Sequence, residues 1–475
     1  MKYTSTRGGG APVPFAEAVA TGLARDGGLL LPESFPDVRS GLSRWSRLPF
    51  AELAFEIARL YADDVPEADL RAIIEKSYAV FSPVPPAPDQ PGTGPEPVPV
   101  RPCGPVHVLE LYHGPTLAFK DVALQFLGNL FEWILARDGG EMNVVVATSG
   151  DTGSAAIHGL RGRKGVRVFV LHPAGRVSPV QERQMTTVLD PNVFNIALDG
   201  TFDDAQAIVK TLFSDLPFKD SRHLAAVNSI NWARVLAQVT YYFYAAFRTM
   251  ERTGAGEVSF SVPTGNFGDV FAGYVAWKMG LPVRRLVLAT NENDILARFF
   301  ETGRYAKGKV VPTISPSMDI QVASNFERWL YLHAGRDAAT VRGWMERFAR
   351  EGAIELEPGP GGCFDPVLRA GRADTAATLE TIRRFHSDCG RLLDPHTAVG
   401  VAVALEKAVE PGVPVICLST AHPAKFPDAV ARAIGDASEA THPSVEALAG
   451  LPARKFPLPN DPAAVARFVD ERVRA

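Results

Sequence analysis

From residue 106 onward the chain repeats one pattern: a short apolar run, then a stretch with helical spacing. The runs are "NVVVATS" (143–149), "VRVFVLHP" (166–173), "VFNIAL" (193–198), "VSFSVPT" (258–264), "VRRLVLAT" (283–290) and "VPVICLST" (413–420). They are rich in β-branched residues and do not alternate strictly between apolar and polar. Such strands are buried on both faces, and the segments between them have to supply the covering helices. "TFDDAQAIVKTLF" and "NWARVLAQVTYYFYAAF" read as amphipathic helices of this kind. The fold class expected is therefore α/β, with parallel sheets wound with helices.

The first part of the chain differs. "PFAEAVATGLA" and "FAELAFEIARLYA" place apolar residues at helical spacing, and "DGGLLLP" reads as a turn into a short extended piece. Next comes "SPVPPAPDQPGTGPEPVPVRP", residues 82–102, with nine prolines. Proline lacks an N–H and keeps the preceding residue out of the helical region. The spacing predicts an N-terminal helical domain over 1–81, a proline-rich linker over 82–102, and the α/β region over 103–475. "RDAATVRGWMERFAREGAIELEPGPGG" reads as a late helix and exposed loop, and the C-terminal tail as helix, turn, helix. At 475 residues the chain exceeds one ordinary core.

Charge and cysteine usage narrow the function. The formal net charge is -4, which argues against nucleic acid or an anionic membrane as the main partner. No apolar run reaches the length of a membrane-spanning helix. The opening "MKYTSTRGGGAPVPF" lacks the apolar core of a signal peptide. Cys103, Cys363, Cys389 and Cys417 form no C-x-x-C pair, so a cytoplasmic setting is expected and a disulfide framework is not. The ten histidines show no H-E-x-x-H, and no metal site is expected.

Three strand ends carry unusual loops. One runs "VVVATSGDTGSAAIHGL", with Ser149-Gly150-Asp151-Thr152-Gly153 before a small-residue helix. A second runs "FSVPTGNFGDVFAGYVAWK", with Gly265-Asn266-Phe267-Gly268-Asp269 before a helix. In the third, Ser419 and Thr420 close a strand in "VICLSTAHPAKF". Each alone reads as a plain strand-to-helix turn, since Gly, Asn and Asp cap helices in every α/β protein. Neither glycine loop has the G-K-[ST] of a nucleotide loop or the G-x-G-x-x-G of a dinucleotide loop. Together they place two anion-shaped loops at strand C-terminal ends, where open α/β sheets bind ligands. Lys120, in "HGPTLAFKDVALQ", adds an amine. An amine beside anion cradles suits an aldehyde that bears a phosphate, and pyridoxal 5'-phosphate is such an aldehyde. One loop then takes the cofactor phosphate, the other a substrate carboxylate, and Thr420 faces the pyridine nitrogen.

"HGPTLAFKD", "TSGDTGSAA", "PTGNFGD" and "LSTAHPAKF" resemble, in order and wording, the motifs of threonine synthases. "KYTSTRG" and "FAEAVATGLARDGGLLLPE" are similar to that family's N-terminal segment, of the longer type found in bacteria and fungi. The proline-rich stretch looks longer than usual, and "DGGLLLP" has leucine where the family has an aromatic.

The resemblance implies the second fold type of pyridoxal-phosphate enzymes, shared with the tryptophan synthase β chain. It divides 103–475 into two interleaved α/β domains with the cofactor between them. It makes Lys120 the Schiff-base and catalytic lysine. Gly265, Asn266, Phe267 and Asp269 become the cofactor-phosphate loop, Thr420 the partner of the pyridine nitrogen, and Ser149, Gly150, Asp151 and Thr152 the substrate-carboxylate loop. The implied reaction takes O-phospho-L-homoserine and water to L-threonine and phosphate, in a monomer or dimer. For the substrate phosphate, "VNSINWAR" offers Asn228, Ser229, Asn231 and Arg234 at a helix start. A capped helix with an outward arginine is an equal reading of that spacing, and Arg7 is a weaker candidate. A lyase of the same fold that releases a keto acid could keep all four motifs. A non-catalytic phosphate-ligand sensor is expected to show a missing lysine or broken loops.

Overall fold

Two sheets account for the strand pattern in the computed structural model, which describes residues 1–85, 96–359 and 362–474. The larger sheet runs in the order Leu368–Arg372, Val283–Thr290, Val258–Pro263, Val415–Ser419, Val106–Glu110 and Val100–Cys103. All neighbours are parallel except the last pair. The smaller sheet, wholly parallel, runs Phe456–Pro459, Val193–Asp199, Val166–Pro173, Met142–Ala147 and Leu224–Ala225. The chain starts the large sheet, builds most of the small one, returns to the large one and ends in the small one.

Every residue of Val258–Pro263 and of Val415–Ser419 is buried, as expected of strands covered on both faces. The helix Trp232–Thr253 was expected to be amphipathic. It is instead buried all round from Trp232 to Thr249, because N-terminal helices cover the side turned away from the sheets. Tyr3 and Tyr61 pack on Trp232 at 6.0 and 5.7 Å, and Phe50 meets Tyr244 edge-on at 5.5 Å. Such pairs contribute on the order of 1 kcal/mol each beyond their area. Residues 1–81 thus share one continuous core with the α/β region.

Residues 86–95 of the expected linker lie outside the described residues. At its flanks Val84 and Glu96 exchange backbone hydrogen bonds of 3.2 and 2.9 Å. The strand Val100–Cys103 begins inside the expected linker. Its Pro102 is tolerated because this is the edge of the large sheet, where a missing N–H breaks no ladder. The same reason admits the strand Phe456–Pro459, where the tail was expected to hold only helices and a turn.

Candidate active site

The loop before Lys120 is held by the helix that Lys120 begins, Lys120–Asp138. The Asp121 carboxylate accepts from the Thr116 N–H at 2.8 Å and the Thr116 hydroxyl at 2.7 Å. The Phe119 N–H donates to the Thr420 carbonyl at 2.9 Å, and the His422 N–H to the Leu117 carbonyl at 3.1 Å. These two bonds stitch the end of strand Val415–Ser419 to the residues leading into Lys120, so Thr420 and Lys120 share one sheet edge. Both are buried.

Lys120 does not lie on the surface. Its Nζ stands 3.5 Å from Ser317 Oγ and 3.7 Å from Asp151 Oδ2. Burial pushes its pKa down to about 8; Asp151 pulls the other way, while Lys425 and Arg234 add to the push. About a tenth of the amine is therefore proton-free at pH 7, far more than for a lysine at its ordinary pKa.

The loop at 149–153 is shaped by Thr148, whose hydroxyl accepts from the N–H groups of Gly150 at 2.9 Å and Gly153 at 2.8 Å. Ser149 and Thr152 remain partly exposed. Asp151 is buried, and its carboxylate accepts from Lys425 Nζ at 2.6 Å, Gln181 Nε2 at 2.8 Å and Ser317 Oγ at 3.2 Å. Burial alone would raise its pKa, but Lys425 and Lys120 hold it well below the usual carboxylate range.

In the loop at 264–269, Phe267 adopts a left-handed φ of 63° and starts the helix Gly268–Lys278. Its ring is buried edge-on to Phe326 at 5.4 Å. The Asn266 carbonyl accepts from the Asn325 backbone N–H at 3.0 Å and from its side-chain amide at 3.1 Å. A Cβ on Gly265 would stand 2.9 Å from the Ser317 carbonyl oxygen, so this loop closes directly on the residue that faces Lys120. The Asp269 carboxyl points away from the loop, toward the hydroxyls of Tyr241 and Tyr242, the latter at 2.8 Å. Burial raises it to about 6 against those two hydrogen bonds.

The segment 228–234 divides. Asn231 is committed to the fold: its amide donates to the Val19 carbonyl at 2.8 Å and its oxygen caps Trp232–Thr253 through Ala233 N–H. Asn228 accepts from Ile230 N–H at 3.3 Å, and the Ser229 carbonyl accepts from Asn325 at 3.1 Å. Arg234 is turned inward. It is 4% exposed, and its Nε and Nη1 have no hydrogen-bond partner among the described residues. Burial lowers its pKa to about 10. Arg7 forms a bidentate pair with Glu327 at 2.9 and 2.8 Å and lines one cavity of about 280 Å³ together with Asn228 and Ser229.

Sequence reading missed Lys425, Ser317, His396 and Gln181. Lys425 stands inside the quoted "LSTAHPAKF", and its complete burial was the unreadable part. Ser317 comes from "TISPSMDI", which carries no signature. The Ser317 N–H donates to His396 Nε2 at 3.2 Å, which leaves the ring proton on Nδ1, 2.9 Å from Asp394 Oδ1. His396 thus holds the Ser317 loop against Lys120.

Known sequences and structures resemble the chain over its length. Residues 2–78 match a family described as threonine synthase N terminus, 99–364 one described as pyridoxal-phosphate dependent enzyme, and 397–469 one described as threonine synthase, C-terminal. A threonine synthase of Pseudomonas aeruginosa is 46% identical across 99% of this chain and 98% of its own. One of Schizosaccharomyces pombe is 46% identical across 92% of this chain and 90% of its own. The crystal structure of a pyridoxal-phosphate-bound threonine synthase from Brucella melitensis superposes with a TM-score of 0.93, at 44% identity and full coverage of both chains.

Proposed function

The chain belongs to the threonine synthase family, and on that premise we propose that it converts O-phospho-L-homoserine and water to L-threonine and phosphate, with pyridoxal 5'-phosphate as cofactor, as the last step of threonine biosynthesis. The observation that carries the reading is Lys120: a buried amine at a helix head, facing Ser317, on whose carbonyl Gly265 closes too tightly for a Cβ.

The residues present suit the cofactor. Gly265, Asn266, Phe267 and Gly268 present backbone at the start of Gly268–Lys278, where N–H groups and the helix dipole favour an anion. Asp269 supports this loop from behind through Tyr241 and Tyr242. Thr420 offers the pyridine nitrogen a hydroxyl rather than a carboxylate. When bound, pyridoxal phosphate supplies an electron sink conjugated to the substrate amino group.

The remaining work falls to side chains of this chain. Lys120, with a pKa of about 8, takes the Cα proton and later one from Cβ. Its burial excludes water that would compete for those protons. The loop at 149–152 offers backbone N–H groups and hydroxyls to the substrate carboxylate. Arg234, with two guanidinium nitrogens still unpaired among the described residues, takes the phosphate that leaves from Cγ. Water adds at Cβ, Cγ gains a proton, and Lys120 returns one to Cα, which completes L-threonine. We class the enzyme as a carbon–oxygen lyase acting on phosphates and place it in the cytoplasm.

Incubation with O-phosphohomoserine, with phosphate assayed and the organic product identified, tests the reading. Threonine and phosphate in equal amounts are expected. 2-Oxobutanoate with ammonia would make the enzyme a lyase that yields a keto acid, and no release of phosphate would sink the assignment altogether.

A further inference from the structure

The site holds a second buried lysine that the reaction above does not use. Lys425 is fully buried at the end of the short helical turn Pro423–Lys425. A buried cation needs its hydrogen bonds met by the protein. Here the Asp151 carboxylate at 2.6 Å and the Thr116 carbonyl at 2.8 Å meet them. Asp151 is also the carboxylate nearest Lys120, and the two lysines divide it: Lys425 meets Oδ1, while Lys120 stands 3.7 Å from Oδ2, beyond a hydrogen bond.

We propose that Lys425 is a positioning residue for the reaction proposed above: by occupying Asp151, it denies Lys120 a tight ion pair and leaves that amine free to give up its proton. The proposal rests on the functional reading for its purpose but not for its geometry.

The local charges support it. Lys120 faces Asp151, Lys425 and Arg234, two cations against one carboxylate. Asp151 is also within electrostatic reach of His396. Lys425 acts in addition on Asp121, across Thr116, and on His158, which burial holds at about 4 and therefore neutral. With Lys425 replaced by an apolar residue, Gln181 and Ser317 would still donate to Asp151, but Lys120 would be the lysine left within ion-pairing reach of it among the described residues. The flexible Lys120 side chain would close the gap to Oδ2, and its proton would be held more tightly. Lys425 further ties Thr116, in the loop before Lys120, to the helix that starts at Asp151, so the pair also fixes the distance between the two lysines.

The test is competitive labelling of the cofactor-stripped full chain with trace acetic anhydride across the neutral and alkaline range. Mass spectrometry of the Lys120 peptide gives its titration midpoint without reference to turnover. The native protein is expected to titrate near 8. Lys425→Met should move the midpoint up by on the order of one pH unit, and Lys425→Arg should hold it close to the native value. The acid limb of kcat in the holoenzyme, where bound substrate has freed the Lys120 amine, should shift in the same direction. A folded Lys425→Met protein with an unmoved Lys120 midpoint overturns the proposal. Should that variant fail to fold, Asp151→Asn decides: it keeps both lysines and removes the anion, so the midpoint must fall, and a midpoint that stays overturns the proposal equally. Phosphohomoserine turnover is measured on the same native preparation. Absence of turnover with the labelling shift intact would remove the functional reading and leave the lysine pair standing.

Discussion

Gly128 and Gly159 meet backbone to backbone, eight residues along from Lys120 and Asp151 in helices that run side by side. A Cβ on Gly159 would stand 2.5 Å from the Leu124 carbonyl oxygen, and one on Gly128 would collide with the Gly159 carbonyl. Eight residues rise about 12 Å in a helix, so a contact two turns down sets the approach of the two charged side chains at the heads.

Gly159→Ala should therefore act on both stability and the site. Backbone is hard to displace, so the cost should be on the order of 3 kcal/mol. A folded variant should also part Lys120 from Asp151 and lower kcat/KM. Thermal unfolding alongside turnover checks this, and an unchanged midpoint of unfolding would mean the helices have more room than the glycine pair indicates.

Lys120 and Lys219 share the tripeptide "FKD" but not the setting. Lys219 is partly exposed in the short helix Leu216–Ser221, where it lies 5.9 Å from the Phe213 ring. Lys120→Ala should abolish turnover and the retention of cofactor after borohydride reduction, while Lys219→Ala should change neither. Normal turnover in Lys120→Ala, with cofactor fixed to another lysine, would falsify the assignment.

Asp269 makes a pH prediction. Burial raises its folded pKa to about 6, above the usual carboxylate value. Between about 4 and 6 the folded form holds a proton that the unfolded form has lost, so this group's contribution to stability falls as pH rises through that window. The span corresponds to roughly 2–3 kcal/mol, fully lost above the folded pKa. Asp121, also raised to about 6 by burial, adds a change of the same sign. Asp269→Asn keeps a hydrogen-bonding side chain facing the two tyrosines and cannot ionise. Its stability should decline less between the two pH values than that of the native protein. Denaturant unfolding at both values measures the difference, and parallel declines would place the Asp269 titration outside the window.

The sheets were legible in the sequence because burial on both faces writes itself as runs such as "VICLS" and "VSFSV". The strand Phe456–Pro459 was hidden by prolines that only an edge strand tolerates. The helix Trp232–Thr253 was legible as a helix but not as a buried one, since its second cover comes from segments about 180 residues earlier. In the site, loops of glycine and small polar residues stand out at strand ends, as does the lysine in "HGPTLAFKD". The partners that tune them do not. Lys425 reaches Thr116 across 309 positions, and Ser317 reaches Asp151 across 166. No local pattern records a pairing that only tertiary packing creates. Asn231 and Arg234 show the same limit: three positions apart, one caps the helix and the other is buried with Nε and Nη1 unpaired among the described residues.

Arg234 carries the last prediction. It is buried with Nε and Nη1 unpaired among the described residues, a state that costs free energy unless a ligand supplies the missing acceptors. A phosphate dianion meets a guanidinium with two parallel, charge-assisted hydrogen bonds worth about 2 kcal/mol. Arg234→Ala should lower kcat/KM for phosphohomoserine by roughly ten- to a hundredfold. Affinity for pyridoxal phosphate should hold, because the loop at 265–268 lies on a different helix start. Stability should hold or rise, since a buried cation without partners is removed. Arg234→Lys should rescue only in part, because an ammonium lacks the planar fork. Phosphate release, cofactor titration and thermal unfolding on one preparation separate the outcomes. Equal losses of turnover and cofactor would place Arg234 at the cofactor instead, and no loss of either would assign the substrate phosphate to other groups.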